Sequence, residues 1–141
     1  MNIKVVVGLA AGLGAVVAYA WRKIRAANVA YAHIKVRQDQ GKCVCTTTPF
    51  TVRARRGGLI DWDVDDPQNC LGEADLEFRF PRDDSPLADR RPKAKRSGSG
   101  RRVQQNVRFS AQRGRVYDFS IWYVTPTQEY EMEDPEIQIE Y

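Results

Sequence analysis

Val116-Tyr117-Asp118-Phe119-Ser120-Ile121-Trp122-Tyr123-Val124 is the stretch from which the fold is read. Tyr117, Phe119, Ile121 and Tyr123 fall on one side of an extended chain, while Val116, Trp122 and Val124 make the other side apolar too. Successive strand side chains point to opposite faces, so this alternation predicts a strand, and apolar residues on both faces predict a central one. C-terminal to it, Thr125-Pro126-Thr127 reads as a turn, residues 129–133 as a short strand, and Ile137, Ile139 and Tyr141 as the last strand.

The same period continues on the N-terminal side. Gln112-Arg113-Gly114 is a turn, and residues 103–110 form a strand with Val107 and Phe109 inward. Ala74, Leu76, Phe78 and Phe80 make an inward row opposed by Asp75, Glu77 and Arg79. Ile60, Trp62 and Val64 share a face, which leaves Asp61 and Asp63 on the wet side and makes Trp62 a packing tryptophan. Phe50, Val52 and Ala54 precede the turn Arg56-Gly57-Gly58, and Cys43 and Cys45 lie on one face of residues 42–47. Ile34 and Val36 alternate with Lys35 and Arg37 before the turn at Asp39-Gln40-Gly41. Seven or eight short strands, with turns about every ten residues and no helical period after residue 30, predict an all-β, antiparallel two-sheet sandwich over residues 31–141.

Residues 81–102 interrupt the pattern with prolines, serines and eight basic against three acidic residues. A segment so poor in apolar side chains is expected to form a mobile insertion. Its Arg90, Arg91, Lys93, Lys95, Arg96, Arg101 and Arg102 are the candidate contact residues for phosphates or another anionic partner. No aromatic residue stands among them to stack on bases, so nucleic acid is a poor fit. If the domain faces the cytoplasm, anionic lipid headgroups are the cheaper explanation, because the tether already holds it near them. Residues 117–141 carry seven acidic and no basic residues, an acidic edge able to balance that charge in cis.

Three runs resemble the cupredoxin- and immunoglobulin-like group of β-sandwiches. Phe50-Thr51-Val52, with Gly57 and Ile60-Asp61-Trp62, is similar to a cupredoxin succession of strand, glycine turn and aromatic-bearing strand. Gly114-Arg115-Val116-Tyr117-Asp118-Phe119 resembles that group's penultimate strand, and Asp134-Pro135-Glu136-Ile137-Gln138-Ile139 the closing strand of small bacterial sandwich domains of unknown function. The resemblance implies a sandwich fold but not redox chemistry. A blue-copper site needs two imidazoles and a thiolate. His33 is the single histidine, Phe119 and Ile121 stand where the cysteine would, and Met132 lacks partners.

Before the β region, residues 5–21 hold seventeen residues without a charge, opening at Val5 and closing at Trp21, with Arg22, Lys23 and Arg25 directly after. As a helix the run would be about 26 Å long, at the short end of a membrane span. Residues 1–25 are therefore expected to be a single-pass membrane anchor with a basic flank, and residues 26–30 a spacer. The positive-inside rule then puts the β domain in the cytoplasm. Ala18-Tyr19-Ala20 also has the form of a signal-peptide cleavage site, the alternative being a processed domain in the periplasm or outside the cell. A dinucleotide-binding turn fails, because Val17 occupies the third glycine position.

Chemistry is sparse. His33 stands without a nucleophile motif, and the aspartates from Asp61 to Asp66 miss the EF-hand spacing at Asp66 and Gly72. Three cysteines make a poor disulfide framework. One bridge is open, from Cys70 to Cys43 or Cys45, with the Cys45–Cys70 pairing put first and a free thiol left over. In the cytoplasm all three would stay reduced. No cofactor, metal or small-molecule substrate is expected. The expectation is a non-catalytic, membrane-anchored interaction or structural module with a protein or anionic-lipid partner.

Overall fold

The computed structural model describes residues 28–98 and 100–141. Eleven strands run in chain order: β1 Val29–Asp39, β2 Lys42–Thr48, β3 Thr51–Ala54, β4 Leu59–Asp65, β5 Asp75–Arg79, β6 Lys95–Ser97, β7 Gly100–Asn106, β8 Val116–Asp118, β9 Ser120–Val124, β10 Glu129–Glu133 and β11 Glu136–Ile139. One 3-10 turn, Pro81–Asp83, follows β5. The strands make a five-stranded sheet, β2-β1-β4-β7-β6, and two three-stranded sheets, β10-β9-β5 and β3-β11-β8. The described residues are nearly all β as expected, but they form three sheets instead of the expected two, and the sheets are mixed, not purely antiparallel: β1 pairs with β4, and β3 with β11, in parallel. Short turns predict antiparallel neighbours, and both parallel pairs join strands distant in sequence, which local alternation does not report.

One core joins the three sheets. Trp62 on β4 is fully buried and meets Phe78 on β5 edge-on at 4.8 Å, and Phe119 at 6.0 Å. Phe119 also stacks on Phe80 at 5.3 Å. The expected packing tryptophan is thus the hub of an aromatic cluster, an arrangement that adds favourable edge-to-face contact to plain area burial.

The stretch at 116–124 forms two strands. It breaks at Phe119, whose N–H donates to the Pro135 carbonyl at 3.1 Å. Before the break β8 pairs with β11, and after it β9 pairs with β5 and β10. The chain changes sheets while keeping its inward face, so the side-chain alternation runs across the break. β9 is central in its sheet, as its two apolar faces predict.

Several boundaries differ from the sequence expectation. Val29 and Ala30, assigned to a spacer, pair with Leu59 and Ile60 in β1. Phe109, expected inward, is 79 % exposed, and Phe50 is 48 % exposed. The inward row of this segment ends at Val107, because Ala111 N–H closes a turn back onto the Arg108 carbonyl at 3.1 Å. Asp61, expected to be wet, is buried on the outer side of the five-stranded sheet beneath Arg102 and Gln104.

The described residues of the 81–102 segment, expected to be mobile, are built into the fold. Leu87 is 1 % exposed and forms a bridge with Val107, and Ser85 is buried beside it. Phe78 N–H donates to the Pro92 carbonyl and Ala94 N–H to the Leu76 carbonyl, so this segment extends the open edge of β5. Backbone pairing needs no apolar side chain, and composition therefore missed it.

Edges are closed elsewhere as well. The Tyr130 hydroxyl on β10 accepts from the Cys43 N–H at 2.9 Å and donates to the Cys43 carbonyl at 3.1 Å, covering the free edge of β2. Among the described residues no helix is long and apolar enough to cross a membrane. The anchor expected at residues 5–21 lies outside the described residues.

Candidate functional site

The outer face of the five-stranded sheet carries the charged constellation of the domain. Strand register lines up His33 on β1 with Asp63 on β4, Asp63 with Arg102 on β7, and Arg102 with Lys95 on β6. On the other side His33 lies opposite Thr48. His33 Nδ1 is 3.3 Å from Asp63 Oδ2, with both side chains about half exposed. One row below, Arg102 Nε lies 3.1 Å from Asp61 Oδ1 without the alignment of a hydrogen bond. Gln104 donates to the other oxygen of Asp61 at 3.1 Å. Arg102 and Gln104 thus supply the polar company that a buried carboxylate needs.

Two hollows flank this row. One, of about 700 Å³, is lined by His33, Asp63, Asp65, Asp66, Arg101 and Arg102 among others. The second, of about 290 Å³, is lined by Lys93, Lys95, Arg96, Arg102 and neighbouring polar residues. The His33–Asp63 pair could hold and orient a proton beside the Thr48 hydroxyl. It stands on an open sheet face, where water competes for every contact, so the arrangement lacks the dry, preorganised surroundings that make such a pair effective.

The seven basic residues singled out from the sequence divide by partner. Arg101 is structural: its guanidinium donates to the Gly72 and Ala74 carbonyls, the latter at 2.6 Å, and so pins the loop before β5. Arg91 meets Asp83 at 3.4 Å, Lys93 meets Asp75 at 3.5 Å, and Arg102 meets Asp61. Among the described residues Arg90, Lys95 and Arg96 have no ion-pair partner. The hairpin places Lys95 directly opposite Arg102 and Arg96 opposite Arg101. Like charges facing each other across a ladder are destabilising.

The C-terminal acidic residues pair elsewhere. Glu129 takes Arg79 at 2.9 Å, Glu140 takes Arg55 at 3.3 Å, and Glu133 and Glu136 accept from Thr47 and Thr51. Hydrogen bonding to Arg79 holds the Glu129 carboxyl below its usual range. Arg79 itself lies over the Trp122 ring at 4.4 Å.

The hairpin also points away from the start of the domain. β1 and β4 begin together at Val29 and Leu59, while Gly100 and Ser97 sit beyond the opposite end, near Val64. From Leu59 to Asp65 is about 20 Å of strand. The hairpin turn therefore stands about one strand length from the first described residues.

The disulfide joins Cys43 to Cys70, with Cα atoms 5.8 Å apart, in place of the expected Cys45–Cys70 pairing. Cys43 and Cys45 share a face of β2, so alternation could not choose between them. The loop after β4 settles it: Asp66 accepts from the N–H groups of Cys70 and Leu71 at 2.8 and 2.9 Å, fixing the turn that presents Cys70. Cys45 is buried and free, its thiol pushed up to about 12 by burial and by the nearby Glu133 carboxylate.

No protein-family model and no curated protein matches this chain.

Proposed function

We propose that this chain is a non-catalytic, membrane-anchored β-sandwich module whose basic hairpin binds an acidic segment of a protein partner. One observation carries the reading: Lys95 and Arg96 oppose Arg102 and Arg101 across the β6–β7 ladder, while the acidic C-terminal strands pair with other residues. Like charges held face to face weaken the ladder, and a partner's carboxylates would relieve that repulsion. The distance of the hairpin turn from the first described residues favours a protein over the lipid surface as its partner. Resemblance to cupredoxin- and immunoglobulin-like domains extends to architecture, with copper chemistry left aside.

The Cys43–Cys70 bridge favours the periplasmic or exported side over the cytoplasmic side indicated by flanking charge, since disulfides persist in oxidising compartments. Both parts are tested on the full chain. A fluorescent poly-glutamate peptide should bind with steep salt dependence, and Lys95→Glu with Arg96→Glu should weaken it at least about tenfold. An unchanged affinity would remove the hairpin from the interface. Native protein denatured without reductant should show one reactive thiol; three would return the domain to the cytoplasm.

A further inference from the structure

We infer that the loop pair made by residues 55–58 and 108–110 is the surface on which the domain rests against an anionic lipid bilayer, with Phe109 entering the headgroup layer. This rests on residues 5–21 being a membrane segment, and it assigns the lipid contact to residues outside the basic insertion.

Three observations meet at this end of the molecule. The chain enters the described fold here. The Asn28 carbonyl accepts from the Leu59 N–H at 3.0 Å, and it packs so closely on Gly58 that a Cβ there would come within 2.7 Å of it. The second observation is Phe109. Its ring is 79 % exposed yet seated on the adjacent Gly57, where a Cβ would lie 2.5 Å from the ring. Gly57 has φ +75°, a conformation that glycine tolerates, so the turn both forms and leaves room for the ring. A single exposed apolar residue is ordinary. This one is a seated phenylalanine beside the point of chain entry.

The third observation is charge. Arg56 donates from Nη1 to the Phe109 carbonyl at 3.3 Å and has no ion-pair partner among the described residues. Arg108 is exposed beside it, its guanidinium donating to the Ser85 carbonyl. Cations around an exposed aromatic are the composition of an interfacial contact.

Chain length brings this end to the lipid. Six residues separate Trp21 from Asn28. Seven Cα steps reach at most about 25 Å. If Trp21 lies at the membrane boundary, the Gly57–Gly58 turn must stay within that distance of the headgroups, while the hairpin turn can stand about 20 Å farther out.

The test uses the full chain reconstituted into phosphatidylcholine vesicles with and without phosphatidylglycerol. Phe109→Cys takes an environment-sensitive fluorophore selectively, because Cys43 and Cys70 are bridged and Cys45 is buried with a raised thiol pKa. Ser110→Cys provides a second reporter that leaves Phe109 in place, and Arg96→Cys reports on the hairpin. The expected result is a shift to shorter wavelength and quenching by lipid-borne quencher at 109 and 110, stronger with phosphatidylglycerol, and neither effect at 96.

Water-like emission at 109 and 110, in a chain that resists alkaline carbonate extraction, would overturn this docking surface and leave the anchor standing. Extraction of the chain by carbonate would overturn the anchor and the docking surface together. A shift at 96 equal to that at 109 would mean the domain lies flat, and a shift that follows protein density in the vesicle would mean contact between copies. Either result overturns the end-on docking proposed.

Discussion

The two faces of the five-stranded sheet are built from alternate residues of the same strands and obey different rules. Inward, Ile34, Val36, Ile60, Trp62, Val64 and Val103 are each at most 3 % exposed. Their partners are any well-shaped apolar neighbours, and what counts is filled volume. Outward, His33, Asp63, Arg102 and Lys95 form a row in which each charge depends on the sign of the next. The inner face therefore explains why the domain holds together. The outer face has partners for Arg102 and His33 but none among the described residues for Lys95, and that imbalance makes it the candidate for recognition.

Trp62→Ala tests this contrast with the largest effect. It removes the hub between Phe78 and Phe119 and should cost about 3–5 kcal/mol, read as a lower urea midpoint at unchanged slope. A loss below about 1 kcal/mol would mean that the layers are held together elsewhere.

Cys45 offers a smaller effect from the same interior. Its thiol rises from 9.0 to about 12, so at pH 9 the folded protein holds the unreactive, protonated form while the unfolded chain is about half thiolate. Native Cys45 should be alkylated at least about a hundredfold more slowly than in urea at that pH, the native rate climbing with pH up to the folded pKa. Equal rates would show that the β2 face is open to water.

The outer face should answer with the smallest change and the opposite sign. Lys95→Thr relieves the facing pair with Arg102 and should raise stability by roughly 0.5 kcal/mol or less, measured by thermal unfolding at low salt. A fall of more than about 1 kcal/mol would show that the hairpin's charges are already satisfied within the fold.

Much of the architecture was legible because alternation is a local property. Residues 129–133 were read as a strand and form β10, and the inward row Leu76, Phe78 and Phe80 is buried as expected. What escaped was long-range. The parallel pairing of β1 with β4 is a relation between distant segments that neither segment encodes alone. The order at residues 92–94 comes from main-chain bonds to Leu76 and Phe78, invisible to a test based on hydrophobicity. The break at Phe119 was hidden because both sheets share one core, so side chains keep their alternation while the hydrogen bonds change owners. In the candidate site, charge marked the hairpin correctly as basic but did not separate Arg101, occupied by two carbonyls, from Lys95 and Arg96. Nor did it show that Phe109 turns outward.

The Tyr130 hydroxyl, bonded to both main-chain groups of Cys43, has a consequence for crowded surroundings. A foreign strand seeking to add itself beside β2 would find a phenol already sitting on its docking points, and would have to evict a ring stacked on Tyr123 to proceed. Wherever copies crowd together, this small plug stands in the way of strand addition at that point of the rim.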